Sequence, residues 1–284
     1  MTNKKRPVEI VVISDVHLGT YGCRAKELLH YLKSIKPKIV VLNGDIIDVW
    51  QFSKSYWPKS HMKVVKYIMG WVSKGIKTYY ITGNHDEMLR RFAGMKFGSL
   101  RIVNKLILEL PDQQKAWIFH GDVFDVTMQH SKWLAKLGAV GYDMLIIINS
   151  IANFISQKVF GKGKISLSKK IKNSVKSAVK FINNFEETAA DIGISNQYDY
   201  VICGHIHHPE NRTITNDHGS IVYLNSGDWI ENLSALEFVN GSWNIYRFDE
   251  LDHANMAINN HEEDDINNSQ LFNNLLEEFN LMRL

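Results

Sequence analysis

The chain has 284 residues, of which 45% are hydrophobic and 22% charged, the composition of an ordinary globular protein with a sizeable core. Its 33 lysines and arginines against 30 acidic residues give a net charge of only +3, which excludes a strongly basic nucleic-acid-binding protein and an acidic disordered one. The charge is uneven, however. Residues 213–284 hold two basic and thirteen acidic side chains, a net of −11, which leaves +14 for residues 1–212. An anionic substrate or surface is therefore expected for the basic part.

Cysteine usage and hydropathy indicate where the chain works. Cys23 and Cys203 lie far apart and neither belongs to a Cys-x-x-Cys pair, so no disulfide framework is expected and a cytoplasmic location is predicted. The first apolar run, Val8–Ile13, is too short for an export signal and contains Glu9. The longest apolar stretch, Met144–Ile155, is shorter than a bilayer span and is interrupted by polar residues. No transmembrane helix is predicted.

Short β-branched runs alternate with segments of helical period in the first half of the chain, the pattern of βαβ units around a sheet buried on both faces. In chain order, the first group of predicted elements is a strand at Val8–Ser14, a helix at Ala25–Ile35, a strand at Ile39–Asn43, a helix at His61–Ser73 and a strand at Lys77–Ile81. A second, strand-rich group follows at Leu106–Leu110, Ala116–Phe119, Tyr200–Cys203, Ile221–Asn225, Ala235–Val239 and Trp243–Phe248. We expect an α/β (α+β) fold in which two β-sheets pack as a sandwich flanked by helices.

The region between the two groups has few β-branched alternations and has apolar residues at helical spacing. We therefore predict a core of residues 1–124 and 199–250, a helical cap of residues 125–198 inserted into it, and an acidic tail of residues 251–284 that ends in an amphipathic stretch, Leu271–Leu284. Between residues 125 and 182 the cap has ten lysines against two aspartates. Such a face suits phosphates and peripheral association with an anionic inner membrane, although a solvated face over an ordinary helical core explains it equally well.

Polar clusters follow five of the predicted strands, at the carboxyl ends where α/β sheets bind ligands. The i, i+2 spacing of Asp15 and His17, and of His205 and His207, predicts that each pair lies on one side of an extended segment and grips one cation. Carboxylate and imidazole ligands suit Mn, Fe or Zn better than Mg or Ca. The clusters are Asp15-Val16-His17, Gly44-Asp45, Gly83-Asn84-His85-Asp86, His120-Gly121-Asp122 and Gly204-His205-Ile206-His207.

Any one cluster alone is explained as well by a capping pair, a turn or a surface histidine, but their joint occurrence at strand ends favours a metal centre. Together, the motifs Asp-x-His, Gly-Asp, Gly-Asn-His-Asp, His-Gly-Asp and Gly-His-x-His resemble those of the calcineurin-like metallophosphoesterase superfamily, over residues 8 to about 230. This resemblance implies a metallophosphoesterase-like sandwich that holds two divalent metal ions and hydrolyses a phosphoester. Manganese is the expected metal, with iron or zinc as alternatives.

The resemblance also implies a role for single residues. The implied ligands of the first metal ion are Asp15, His17 and His207. Those of the second ion are Asn84, His120 and His205, and Asp45 would bridge the two ions. Two such ions activate a water as hydroxide and clamp phosphoryl oxygens for in-line attack. His85 is the expected catalytic acid for the leaving oxygen, with a structural histidine as the alternative. Asp86 and Asp122 are expected to orient histidine side chains.

Finer details, namely the segments Ser14–Gly19, Gly44–Trp50 and Asn225–Trp229 and the lysine-rich insert, are similar to the UDP-2,3-diacylglucosamine hydrolases of the lipid A pathway. These enzymes cleave the pyrophosphate of a UDP-linked, doubly acylated sugar to UMP and the acylated sugar 1-phosphate. The resemblance therefore implies a small-molecule or lipid-linked nucleotide substrate, with the cap over its acyl chains. In this chain Trp133 and Met144–Ile155 would line the acyl pocket.

The chain departs from that family at one position, because it has His85 where the best-known members have arginine. Arg24, Arg90 and Arg91 are candidates for the missing positive charge near a substrate phosphate, although surface salt bridges explain each of them equally well. The exact substrate is therefore open. The alternatives are a phosphodiesterase or phosphatase that acts on a nucleotide or a phosphoprotein, and a non-catalytic scaffold, against which the complete ligand set argues. No nucleic-acid partner is expected.

Overall fold

Twelve strands and three helices are found among residues 5–50, 56–124 and 168–249, the part of the chain that the computed structural model describes. The helices are α1 (Ala25–Ser34), α2 (Lys59–Ser73) and α3 (Ser168–Ser195), with a short 3₁₀ helix at Glu87–Phe92. The strands are β1 (Arg6–Ile13), β2 (Ile35–Asn43), β3 (Lys77–Ile81), β4 (Lys96–Phe97), β5 (Leu100–Val103), β6 (Leu106–Glu109), β7 (Lys115–Ile118), β8 (Tyr200–Cys203), β9 (Glu210–Asn216), β10 (Gly219–Asn225), β11 (Ser234–Val239) and β12 (Ser242–Arg247).

The strands form two sheets. The larger has the order β12-β11-β1-β2-β3-β5-β4 and the smaller the order β6-β7-β8-β10-β9. One apolar cluster, which includes Ile10 and Val12 of β1 together with Ile202 of β8, lies between the sheets. Because successive side chains of a strand point to opposite faces, Val11 and Ile13 lie instead in the cluster beneath α1 and α2. The predicted α/β sandwich flanked by helices is therefore confirmed.

The structure differs from the sequence prediction in three strands and in one pairing. The sequence pattern does not predict β4, β5 or β9, because β4 has only two residues, both exposed, and the side chains of β9 lie on a largely exposed edge of the smaller sheet. The last two strands, β11 and β12, join the larger sheet, where Leu236 pairs antiparallel with Val12 of β1. Strand order is fixed by these long-range pairings, which hydropathy alone does not encode.

The parallel arrangement of the central strands gathers the polar clusters at one end of the sandwich. β1, β2 and β3 are parallel neighbours in the larger sheet, and β7 and β8 are parallel neighbours in the smaller one. Backbone pairing continues beyond the ends of β1 and β2, since the N–H of Asp15 donates to the carbonyl of Gly44 at 3.1 Å and that of Leu18 to Ile46 at 2.9 Å. The first two clusters are therefore held side by side by the same ladder that holds the sheet.

The predicted cap and tail fall largely outside the described residues. The backbone of α3 lies within the predicted cap, whereas Trp133, Met144–Ile155 and the amphipathic stretch Leu271–Leu284 are not described. The division into core, cap and tail thus stays a prediction. Within the ranges described, no helix is both long and apolar enough to cross a membrane.

A buried imidazole ties α2 to the loop after β1. His61 is 2% exposed, and its Nδ1 accepts a 2.9 Å hydrogen bond from the backbone N–H of Gly19. A nitrogen that accepts a hydrogen bond is unprotonated, and burial lowers the pKa of His61 to about 4. In the unfolded chain the pKa of the same group is about 6.5. Between these two values only the unfolded chain takes up the proton, so protonation favours unfolding.

We expect the contribution of His61 to stability to be complete above about pH 6.5 and to be lost as the pH falls toward about 4, by at most ~1.4 kcal/mol per pH unit. The variant His61→Asn keeps an acceptor but has no group that titrates in this range. Its free energy of unfolding, measured with denaturant at a series of pH values, should therefore fall less than that of the parent protein. Parallel pH profiles for the two proteins would contradict this account of His61.

Candidate metal centre

Asp15, His17 and His207 form the first group of side chains at the end of the sandwich. Each offers one ligand atom, and these atoms lie within 4.8 Å of one another. His207 Nε2 lies 3.2 Å from Asp15 Oδ1. Burial alone would raise the pKa of Asp15, but the charges of His207 and His120 outweigh it and hold the pKa at about 2. Conversely, burial would lower the pKa of His207, and Asp15 raises it to about 9. The group therefore stabilises positive charge beside an ionised carboxylate.

Asp45, His120 and His205 form the second group, and Asp45 is the member that also approaches the first group. Asp45 Oδ2 is 3.2 Å from His120 Nε2 and 4.0 Å from His17 Nε2. Burial opposes ionisation of Asp45, but the imidazoles of His120 and His17 hold its pKa well below the usual range. One carboxylate oxygen thus faces an imidazole nitrogen from each group, the position that a shared ligand of two cations would occupy.

The two buried imidazoles are oriented through their other ring nitrogen. His120 Nδ1 lies 2.8 Å from the backbone carbonyl of Asn43, to which it donates, and His17 Nδ1 lies 3.2 Å from Asp48 Oδ2. In the neutral form of each ring, a proton on Nδ1 leaves a lone pair on Nε2, which is directed toward Asp45. Histidine ligands of metals are commonly held in this way by a carbonyl or a carboxylate.

Three buried polar atoms of the predicted metal ligands have no hydrogen-bond partner in the described part of the chain: His17 Nε2, Asn84 Oδ1 and His120 Nε2. An unsatisfied buried polar atom costs roughly 1–3 kcal/mol, so three together call for a group that satisfies them. All three present lone pairs, and imidazole nitrogen with carboxylate and amide oxygen is a donor set that divalent transition metals accept. The residues present therefore fit divalent metal ions.

Backbone N–H groups hold both carboxylates. Asp15 Oδ2 accepts a hydrogen bond of 3.0 Å from the N–H of His205, and Asp45 Oδ1 accepts one of 2.8 Å from the N–H of His85. The second bond fixes the rotation of the Asp45 carboxylate, so that Oδ2 is the oxygen that faces the imidazoles. Asp15, after β1, is thereby tied to the cluster after β8, and Asp45, after β2, to the cluster after β3.

The backbone at the clusters is not extended, so the prediction from the i, i+2 spacing is wrong on this point. Nine non-glycine residues of the described chain have positive φ, and five of them belong to the clusters: Asp15 (51°), His17 (53°), Asp45 (54°), His205 (69°) and His207 (52°). L-residues other than Asn, Asp and His adopt this left-handed conformation rarely. The loops must turn sharply so that successive side chains converge on one point, which an extended segment does not allow.

Two glycines allow other groups to approach the carboxylates closely. A Cβ at Gly204 would lie 2.6 Å from Asp15 Oδ2 and equally close to the Ser14 side chain. A Cβ at Gly83 would collide with the carboxylate of Asp45 and with its backbone nitrogen. Since neither distance is compatible with a real side chain, these positions are restricted to glycine by the carboxylates themselves.

Asp48 is the site residue that the sequence reasoning missed. It is 1% exposed, and its Oδ2 lies 2.8 Å from His85 Nδ1 as well as 3.2 Å from His17 Nδ1. Burial opposes its ionisation, but hydrogen bonds with His17 and His85 lower its pKa. In turn, Asp48 and Asp45 raise the pKa of His85 against the effect of burial. The available signal was a second aspartate three positions after Asp45, in the same loop.

The other two aspartates of the clusters have partners different from those predicted. Asp86 accepts hydrogen bonds of 2.6 Å from the N–H of Gly83 and from the hydroxyl of Tyr80, and one of 3.0 Å from the N–H of Ile46. It therefore joins two cluster loops to β3. Asp122 pairs with Arg90. Among the residues that the structure describes, neither carboxylate hydrogen-bonds a histidine ring.

Only one of the three candidate arginines lies among the clusters. The guanidinium of Arg90 donates to Asp122 and, at 3.4 Å, to a backbone carbonyl of the third cluster, so it links two loops of the centre. Arg24 pairs with Glu27 at 2.6 Å, and Arg91 lies over the ring of the next residue. In this structure Arg24 and Arg90 therefore form salt bridges, the alternative to a contact with a substrate phosphate.

The segment that follows β10 supports the centre from outside. The N–H of Trp229 donates to the carbonyl of Asp15 at 3.0 Å. Asp228 is fully buried and accepts hydrogen bonds from three consecutive backbone N–H groups and from the amide of Asn232. That amide also donates to the carbonyl of His207 at 2.9 Å. This segment therefore holds the backbone of two proposed ligands in place.

Comparison with known proteins agrees with this arrangement. The sequence profile of calcineurin-like phosphoesterases matches residues 8–209. The chain belongs to the calcineurin-like phosphoesterase family. As a member of this family it is a metal-dependent phosphoesterase, consistent with the donor set described above.

Among its relatives is the UDP-2,3-diacylglucosamine hydrolase of Blochmanniella floridana, which is 25% identical over 92% of this chain and 96% of that protein. A protein of the same name from Aliivibrio fischeri is 23% identical over 84% of this chain and 98% of its own length. Among solved structures, an archaeal phosphodiesterase is 13% identical and covers 84% of this chain and 98% of its own, with a TM-score of 0.41.

We expect Gly83→Ala to displace the carboxylate of Asp45, because the added methyl group would occupy the same space. Metal content after reconstitution should fall, and phosphodiester turnover should drop by about two orders of magnitude, the scale on which small misplacements affect catalysis. Gly70→Ala is the matched control, since a Cβ at Gly70 meets nothing within 4 Å. Normal metal content and turnover in Gly83→Ala would contradict the close packing described here.

Proposed function

We propose that the protein hydrolyses the pyrophosphate of UDP-2,3-diacylglucosamine, or of a similar UDP-linked acylated sugar, to UMP and the acylated sugar 1-phosphate. The observation that carries this proposal is the match to relatives of that name along 84–92% of the chain, supported by groups of aspartate and histidine side chains at the end of the sandwich that could hold metal ions. The net charge of +14 in residues 1–212 suits a substrate with two phosphates.

The proposed centre holds two divalent ions, with manganese as the preferred metal and iron or zinc as alternatives. The proposed ligands are Asp15, His17 and His207 for the first ion, Asn84, His120 and His205 for the second, and Asp45 for both. The grouping of the ligand atoms and the three unsatisfied buried atoms support this assignment. When bound, such ions supply an activated water and charge stabilisation for phosphoryl oxygens.

In this proposal His85 is the acid that protonates the leaving oxygen. Its Nδ1 lies 2.8 Å from Asp48, so the carboxylate fixes the orientation of the ring and stabilises its charged form. Asp48 and Asp45 raise the pKa of His85 despite its burial, which favours a proton-bearing imidazole near neutral pH. The side chain is 16% exposed, so the ring can reach a bound substrate.

We further propose that the protein associates peripherally with an anionic membrane from the cytoplasmic side. A doubly acylated substrate resides in the bilayer, and the lysines of residues 125–182 would be attracted to acidic headgroups.

The second candidate function, a phosphodiesterase or phosphatase for another nucleotide or a phosphoprotein, is favoured by a single observation. His85 stands where the best-known lipid A hydrolases have arginine.

Incubation with UDP-2,3-diacylglucosamine and manganese should release UMP, and chelation with EDTA should abolish the release. Chromatography of the nucleotide products checks this result, and metal analysis of the reconstituted protein should give about two ions per chain. Turnover of a nitrophenyl phosphodiester without release of UMP would reject the lipid substrate but keep the phosphoesterase. Absence of bound metal after reconstitution would reject both.

We expect Asp48→Asn to lower kcat by about 10- to 100-fold, because an amide neither orients the rings of His85 and His17 as a carboxylate does nor stabilises the charged form of His85. The hydrogen bond with Asp48 is the largest of the contacts that raise the pKa of His85, so this pKa should fall in the variant. The alkaline limb of the pH profile of kcat should therefore shift to lower pH. Asp217→Asn, at an exposed residue, is the control. An unchanged rate and pH profile in Asp48→Asn would argue that His85 acts without Asp48.

A further inference from the structure

The second half of α3 is packed closely against the smaller sheet. Ala190 and Ile194 are buried in the same apolar cluster as Val201 of β8. The approach is closest at Gly193, where an added Cβ would lie 2.4 Å from Cδ1 of Ile221 in β10. Since protein interiors are close-packed, a helix that meets a sheet in this way has little room to shift. The position of α3 relative to β8 and β10 is therefore fixed.

A buried carboxylate anchors the same part of α3 beside the last cluster. Glu186 is 2% exposed, and its Oε2 accepts a hydrogen bond from the guanidinium of Arg212 in β9. Its other oxygen, Oε1, lies 3.7 Å from Nδ1 of His208, the residue that follows the proposed ligand His207. Separating a buried carboxylate from its basic partners is costly. This turn of α3 is thus held against the loop that contains His205 and His207.

The preceding residue, Phe185, reaches the second group of metal-binding side chains. It is fully buried, and its ring covers Gly121, where an added Cβ would lie 2.6 Å from Phe185 Cζ and 3.2 Å from Cβ of His205. The ring centroids of Phe185 and His205 are 6.3 Å apart. The ring of His205 in turn lies 5.1 Å from that of His120, the residue before Gly121. One aromatic side chain of α3 therefore packs against both loops that carry the imidazoles of this group.

Packing by a ring restrains what a backbone contact does not. His17 and His120 are oriented through hydrogen bonds at Nδ1. The backbone N–H of His205 donates to Asp15, which fixes the main chain at this residue but not the side-chain torsions. A rigid aromatic ring in a close-packed interior excludes the rotamers of a neighbour that would overlap with it. The Phe185 ring is placed to do this for His205.

We propose that Phe185 is a positioning residue for the second metal ion, because its packing against Gly121 and His205 keeps the imidazole of His205 in the orientation that binds the ion. The inference rests on the two-ion centre proposed above and extends it to a residue of the predicted cap. Loss of a group that orients a metal ligand typically lowers metal affinity by about 10- to 100-fold. Since the backbone of α3 begins in the predicted cap, one helix would connect the cap to the ligands of the second ion.

The test is manganese binding by the full-length protein, followed as ions bound per chain against free metal. EPR spectra of the same samples distinguish an isolated Mn(II) ion from a coupled pair. The parent protein should bind about two ions and show the coupled pair. Phe185→Leu should bind the first ion as the parent does and the second about tenfold more weakly. At metal concentrations that just fill both sites of the parent, its spectrum should therefore be that of an isolated ion.

Phe238→Leu is the matched control, the same substitution at a phenylalanine that is 1% exposed and lies between the sheets. Both leucine variants should unfold at lower temperature than the parent in the absence of metal, because each leaves a cavity in the core. Only Phe185→Leu should lose the coupled pair. A merely structural role for Phe185 would instead affect metal binding equally in the two variants, or in neither.

Phe185→Met is the second variant, because methionine fills irregular core space but is too flexible to hold a neighbouring ring, and it should weaken the second ion by about threefold or more. Parent-like binding of the second ion by a folded Phe185 variant would overturn the inference, and so would an equal loss in Phe238→Leu. Metal binding is measured without substrate, so failure of UMP release leaves the inference intact. A parent protein without a coupled pair would reject the proposed centre and this inference together.

Discussion

The carboxylate of Asp45 is the group around which the rest of the structure is arranged. It is buried, ionised and faced by imidazoles of two groups, so its charge must be balanced locally and its rotation must be fixed. Taking an unpaired carboxylate out of water is costly, and only well-placed partners recover that cost. The partners of Asp45 come from loops after β1, β3 and β7, which belong to both sheets. A sandwich whose parallel strands end together is the arrangement that can supply them.

The support for this carboxylate is mainly backbone. An N–H group fixes one of its oxygens, a backbone carbonyl orients the ring of His120, and absence of a side chain at Gly83 leaves the space that it occupies. Asp86, a side chain outside the predicted ligand set, binds further backbone N–H groups of the same loops, those of Gly83 and Ile46. These contacts restrict the movement of the loops and of the carboxylate, which reduces the rearrangement that binding of an ion requires.

The sequence predicts those features that depend on local pattern. β3 and β8 have the predicted bounds, and the clusters at the strand ends meet in space as expected. What it does not predict depends on distant partners. β11 pairs with β1 across most of the chain, Asp48 joins two histidines from different loops, and Arg90 binds Asp122 instead of remaining available to a substrate. The left-handed backbone of the clusters was also hidden, because residue spacing reports how far apart side chains are in sequence and not the path between them.

That left-handed backbone changes how alanine scanning of this centre should be interpreted. At Asp15 and Asp45 the same residue offers a carboxylate oxygen that could bind a metal ion and tolerates a positive φ. Alanine removes the carboxylate and also incurs a conformational penalty of roughly 1–2 kcal/mol that is unrelated to the chemistry of the site. Asparagine separates the two effects at these two positions, since it keeps the size of aspartate and the tolerance of this backbone while it removes the charge. The difference in the free energy of unfolding between the alanine and asparagine variants at one position would measure the conformational cost of directing that side chain inward.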